Sequence, residues 1–147
     1  MSASFHRDEY TISTDRNRLD ITAIHAFLSL SYWSPGVPIE IVERAIANSM
    51  PFGVYHRDAQ VGFARVISDR ATFAYLADVY VLEAHRGHGL SKWLLEVILA
   101  DPQLQGLRRF LLATWDAHEL YRRYGFTELA KPARMMEKLM PKPYGRP

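Results

Sequence analysis

The sequence predicts an α/β fold of the α+β kind, with a mixed, mostly antiparallel central sheet flanked by about four helices. Three observations predict it. Four segments, at 19–30, 39–48, 90–100 and 117–124, carry apolar residues at helical spacing. Between the second and third lie three apolar runs joined by short polar turns, the pattern of antiparallel hairpins. The stretch "VYVLEAHRGHGLSKWLLEVILADP" (79–102) then runs from a buried strand through a glycine turn into a helix, and another apolar strand follows. Such a βαβ crossover requires its two strands to be parallel.

In chain order, Glu9 to Asp15 ("EYTISTD") alternates weakly and is expected as a first strand. Leu19, Ala23, Ala26, Phe27 and Leu30 mark the first helix. "SYWSPGVP" breaks it, and Pro38 suits the first turn of the second, where Ile41, Val42, Ala45 and Ile46 share a face. Strands follow at Pro51 to His56, Val61 to Ser68 and Thr72 to Leu82, joined by "RDAQ" and by Asp69-Arg70. The third helix has Leu90, Trp93, Leu94, Val97 and Ile98 on its apolar side, and Pro102 cannot continue it. Leu107 to Thr114 reads as a strand. Asp116 is expected to cap a helix from Ala117 to Tyr124, and Gly125 to end it. Phe126 to Leu129 and Ala133 to Leu139 are expected as a last hairpin. The tail "PKPYGRP" (141–147) is expected to fray.

With 147 residues and 48% hydrophobic content, residues 1–147 are expected to form one domain around one core. There is no Cys, which removes disulfides, thiolate metal sites and thiol nucleophiles. The start lacks the apolar run of a secretory signal, and no stretch approaches the ~20 apolar residues of a membrane span, so a cytoplasmic location is expected. The net charge of +2 is too small to imply nucleic-acid binding. Residues 1–100 hold 9 Lys/Arg against 11 Asp/Glu, and residues 101–147 hold 9 against 5. The C-terminal part is thus the basic one, a solvated surface or a place to meet an anion.

The turn Arg86-Gly87-His88-Gly89 admits two readings. Its glycines serve a positive φ in a tight connection, or they let a helix N-terminus with unpaired N–H groups approach a phosphate. Two nucleotide fingerprints fail by counting. A dinucleotide motif needs a third glycine where Lys92 stands, and a P-loop needs Gly-Lys-Ser/Thr where the chain reads Gly89-Leu90-Ser91-Lys92.

Arg86-Gly87-His88-Gly89-Leu90-Ser91 resembles the acyl-CoA motif of the GNAT N-acetyltransferase superfamily, Gln/Arg-x-x-Gly-x-Gly/Ala, with Ser91 in place of Gly or Ala. Downstream, Ala117-x-x-Leu120-Tyr121-x-x-x-Gly125-Phe126 is similar to the second family signature, with Thr114 where an Asn is usual. The resemblance implies an acyl-CoA site on the βαβ crossover and acetyl-CoA as cosubstrate. The N–H groups of about His88 to Lys92, including those of Gly89, Leu90 and Ser91, would hold its pyrophosphate. Arg86 and Gly87 would shape the loop, and Thr114 and Ala117 would stand where the second signature meets the cofactor. The strand ending at Val81 would part from the strand at 107–114, exposing edge groups for pantetheine, with a backbone N–H near Val79 as oxyanion donor. Arg108, Arg109, Arg122 and Arg123 are further candidates for the CoA phosphates.

The resemblance also assigns roles in chemistry. Tyr121 matches the family's general acid, and a phenol of ordinary pKa near 10 is protonated at neutral pH. The strand positions where members carry a base hold Tyr75 and Ala77. Asp78 is the nearest acid, though alternation turns it to the other face unless a bulge intervenes. His118 and solvent water are the other candidate proton acceptors. Tyr32, Trp33 and Tyr75 are the substrate-side candidates, the first two as an aromatic wall for an amine. His85 and His88 flank the turn, but no metal is expected. The implied activity is acetyl transfer to a primary amine, small or peptidic, by direct attack in a ternary complex. The rival is a non-catalytic acyl-CoA-binding regulatory or sensing module. No nucleic-acid or membrane partner is expected, and a homodimer is expected by family habit.

Overall fold

The computed structural model describes residues 2–145. They divide into two compact units, one up to Ala113 and one from Thr114. The expected fraying of the tail falls partly on Arg146 and Pro147, which lie outside the described residues.

In the first unit six strands form one sheet in sequence order: β1 (Ser4–Arg7), β2 (Tyr10–Ser13), β3 (Met50–His56), β4 (Ala59–Ser68), β5 (Phe73–Val81) and β6 (Arg109–Leu112). Neighbours are antiparallel except β5 and β6, which are parallel. The mixed, mostly antiparallel sheet read from the sequence is therefore the observed one. α3 (Leu90–Leu99) makes the crossover from β5 to β6, while α1 (Ile21–Leu28) and α2 (Ile39–Ala47) connect β2 to β3.

β3 is buried at every residue but its last, so apolar groups cover both faces of the sheet centre. α3 packs against β3 and β5, and α1 against α2. Six of the ten α3 residues are buried, among them Trp93, Leu94 and Ile98, which fixes the helix start against the end of β5. Asp20 caps α1 by accepting the Ala23 N–H at 3.0 Å, so the helix begins after Leu19 and ends before Leu30, which is 87% exposed. Pro38 stands directly before α2, which buries Val42 and Ile46.

Three local expectations are corrected. The strand expected first, at Glu9 to Asp15, is β2, and β1 precedes it in a hairpin. All four β1 residues are exposed, so no buried apolar alternation announces this strand. In the second unit α4 spans His118–Arg122. Thr114 rather than Asp116 supports its start, its Oγ1 accepting the Ala117 N–H at 3.1 Å. No strand follows β6 among the described residues. The expected last hairpin is replaced by exposed chain with one 3₁₀ turn at Pro132–Arg134, where Pro132 has no N–H to offer a ladder. Among the described residues, no helix is long and apolar enough to cross a membrane.

Candidate active site

β5 changes character half way along. Phe73 to Leu76 pair with β6 from Arg109 to Leu112, but the parallel ladder stops there. From Ala77 to Val81 only β4 remains as a partner, and the two parallel strands have forked. A fork of this kind leaves strand-edge N–H and C=O groups to which an extended ligand can add.

The fork is accompanied by a bulge. Phe63 pairs with Tyr80 and Arg65 with Ala77, so Asp78 and Val79 together face Ala64. Asp78 adopts φ 56°, a left-handed conformation. Two residues opposite one take the extra residue out of the ladder and re-aim its neighbours. Side chains hold Asp78 there. Its Oδ2 accepts from Arg65 Nε at 2.6 Å, and its Oδ1 accepts from the Trp33 indole at 2.9 Å. Both charged groups are largely buried.

Val81 ends the strand in the core, and Arg86 donates through Nε to its carbonyl at 3.1 Å, tying the glycine turn to the strand end. Gly87 and Gly89 have φ of 85° and 72°, and an added Cβ at either would meet nothing within 4 Å. Glycine is therefore required by the backbone angle, and the space above the turn is open. Gly89 is the N-cap of α3 and brings no side-chain cap, so the first N–H groups of the helix are left to a ligand or water. Gly87, His88, Gly89 and Lys92 are exposed, Ser91 is half-buried and Leu90 is buried as the first anchor of the helix.

Tyr32 and Trp33 lie on the segment between α1 and α2, both nearly half exposed. Their rings meet edge to face at 5.0 Å. Trp33 also lies 6.2 Å from Phe27, which stacks on Tyr80 of β5 at 3.9 Å. Tyr75 is half-buried in the doubly paired part of β5, between Ile67 and Leu111.

Within the second unit, Tyr121 is buried on α4 with the Phe126 ring edge-on at 5.9 Å, and its carbonyl accepts the N–H of Tyr124 and Phe126. Gly125 has φ 91° just past the helix, as its place in the motif predicts. Arg122 is engaged by Glu119 at 2.7 Å and by Glu128. These bonds raise the pKa of its guanidinium, and the bond from Arg122 lowers that of the Glu128 carboxyl. That pairing occupies the Arg122 guanidinium.

These observations fit a CoA thioester: an open, uncapped helix start for the pyrophosphate, and a forked, bulged strand for the arm behind it. Residues 48–128 match the family described as "Acetyltransferase (GNAT) domain". The chain belongs to the GNAT acetyltransferases. A Gibberella zeae protein classed as an acetyltransferase is 34% identical over 78% of this chain and 77% of its own. The crystal structure of a Xanthomonas campestris pv. campestris protein assigned to the GNAT family is 52% identical, with a TM-score of 0.91 over 93% of this chain and 97% of that one. A GNAT acetyltransferase of Elizabethkingia anophelis with acetyl-CoA bound shares the fold at a TM-score of 0.65 and 14% identity, over 92% of this chain and 91% of its own.

In this GNAT acetyltransferase the sequence-predicted residues on β5 and the glycine turn are contiguous by construction, and the fold adds two that the sequence did not single out. Arg65 comes from β4, and Phe27 comes from α1 as the stacking partner of Tyr80. Neither carries a motif. A second unforeseen group surrounds Tyr10, whose hydroxyl pairs with His85 Nδ1 at 2.9 Å, with the His56 and His88 rings 4.9 and 5.7 Å away. Among the described residues no group of three or more His, Cys, Asp or Glu is placed to hold a metal.

Proposed function

We propose that this acetyltransferase is an N-acetyltransferase that uses acetyl-CoA and a primary amine in a ternary complex. The observation that carries the reading is the forked and bulged second half of β5, leading straight into an uncapped helix start. In this reading the backbone N–H groups from His88 to Lys92 bind the pyrophosphate, aided by the partial positive charge of the α3 N-terminus. The open edge of β5 from Ala77 to Val81 binds the pantetheine amides. A backbone N–H at Val79 donates to the acyl oxygen as charge develops there, a kind of contact worth roughly 3 kcal/mol in other enzymes. When bound, acetyl-CoA supplies an activated thioester and a thiolate leaving group.

Tyr121 is assigned as the acid that returns a proton to the departing sulfur, on its place in the second signature. Thr114 and Ala117 are assigned to the cofactor on the same ground. Tyr32 and Trp33 supply aromatic surface against which an ammonium or its alkyl arm can lie. With Tyr75 and Ala77 in the strand, the amine proton is assigned to solvent water. Attack is direct, since the chain has no Cys to carry the acyl group.

Thermal unfolding with acetyl-CoA, and with ATP as a phosphate control, tests the donor site. At a hundred times Kd the stabilisation is roughly 2.7 kcal/mol, a shift of several degrees. A shift with acetyl-CoA and none with ATP supports the reading and justifies a screen of amines for thiol release. No shift at millimolar acetyl-CoA removes it.

A further inference from the structure

Among the described residues, five non-glycine residues have positive φ. Asp8, Arg57, Arg70 and Lys142 lie in turns or bends; Asp78 alone lies inside a strand. A residue held in this region persists only where its surroundings over-determine it, and such positions cluster at functional sites. The surroundings of Asp78 do so from two directions. Arg65, opposite Ala77 on β4, reaches one carboxylate oxygen, and Trp33, from the segment between α1 and α2, reaches the other. Trp33 is itself packed against Tyr32 and Phe27, and Phe27 stacks within 9° of parallel on Tyr80. The aromatic segment is thus attached to β5 at Asp78 by hydrogen bond and at Tyr80 by ring stacking. Both attachments lie in the forked half of the strand.

Resting on the donor-site reading above, we infer that Asp78 is a positioning residue: clamped by Arg65 and Trp33, it locks the bulge and couples the amine-side segment to the strand that meets the acyl group. Its role is positioning rather than proton acceptance: each carboxylate oxygen is oriented by a protein donor, Arg65 on one and Trp33 on the other. What the side chain fixes is a backbone conformation, and through it the direction of the Val79 N–H. The Trp33 bond makes that conformation answer to the segment carrying Tyr32.

The test compares Asp78→Ala, Asp78→Gly and Trp33→Phe with the unaltered protein, each checked for folding by its melting curve. Glycine accepts positive φ where alanine does not, and phenylalanine keeps a ring while removing the indole N–H. Dissociation constants for acetyl-CoA and for CoA are measured by calorimetry. Asp78→Ala is expected to weaken acetyl-CoA about tenfold and CoA less than about twofold, with Asp78→Gly recovering most of the loss. Trp33→Phe is expected to weaken acetyl-CoA in the same selective way. The Trp33 indole proton resonance, assigned by its absence in Trp33→Phe, should move on adding acetyl-CoA to the unaltered protein. Equal acetyl-CoA-to-CoA ratios in all four proteins, or an unmoved resonance, overturn the inference while leaving the donor site intact. With an amine found by the screen, loss of the acidic limb of the pH–rate profile in both Asp78 variants would make Asp78 the base and also overturn it. If the unaltered protein binds neither acetyl-CoA nor CoA, the donor-site reading fails and takes this inference with it.

Discussion

The two halves of β5 are built from similar residues and do different work. Phe73 to Leu76 have a strand on each side, β4 antiparallel and β6 parallel, so their backbone groups are consumed within the sheet. Ala77 to Val81 have β4 alone, interrupted by the bulge, and end at an exposed glycine turn. In the proposed reading one half is scaffold and the other is site. The lesson is that the free strand edge comes from where a neighbouring strand stops, while the re-aimed backbone comes from the bulge at Asp78. The scaffold half can be perturbed only through stability, and the site half chiefly through ligand binding.

Sharpening that contrast begins with the largest effect. Leu76 is 3% exposed in the paired half, and Leu76→Ala should cost about 3 kcal/mol in denaturant unfolding by opening a core cavity. Its acetyl-CoA affinity should remain near that of the unaltered protein wherever the variant is folded. A matching loss of affinity would break the division between the halves.

Next is a residue outside the strand that the proposed chemistry requires. Tyr121→Phe should lower turnover about a hundredfold with donor binding unchanged, the lower end of what general acids contribute. Unchanged turnover would withdraw the acid assignment. Gly89→Ala tests the end of the site half. An added Cβ meets nothing, so the cost is the left-handed backbone alone, about 1–2 kcal/mol in stability, together with weaker acetyl-CoA binding. Loss of stability with full affinity would mean that the turn does not hold the donor.

The smallest effect lies at the start of the scaffold half. Asp69 accepts the N–H groups of Ala71, Thr72 and Phe73 and the Thr72 hydroxyl, and these bonds hold its carboxyl far below the usual carboxylate range. A depressed folded-state pKa gives stability that is present above the unfolded value, near 4, and is lost as pH falls through the folded one. Asp69→Asn should therefore lower stability slightly at neutral pH and flatten its decline below about pH 4, in urea titrations at a series of pH values. An unchanged acid limb would contradict that account.

The residues show why parts of this molecule were legible and others were not. The hairpins from β3 to β5 and the crossover through α3 are written in local alternation, helical spacing and glycine placement, and they appear as read. β1 escaped because its side chains are all exposed, so no buried apolar pattern marks it even though its partner β2 follows after a two-residue turn. Ala133 to Leu139 is expected as half of a last hairpin, yet no strand follows β6 among the described residues, because a segment able to extend does not by itself supply a partner strand. The Asp116 cap failed for a smaller reason: the helix starts at His118, with Ala117 as its N-cap and no side-chain cap, and the Thr114 hydroxyl takes the Ala117 N–H.

By itself, then, the sequence determined the fold class, the parallel crossover and the uncapped glycine turn, since each rests on contacts or angles within a few neighbouring residues. Tertiary structure alone decided that β6 stops at Leu112, that β5 bulges at Asp78, and that Asp78 is clamped. Arg65 lies 13 residues from Asp78 and Trp33 lies 45 away. No local pattern can encode a bond whose partners meet only after three separate elements have packed.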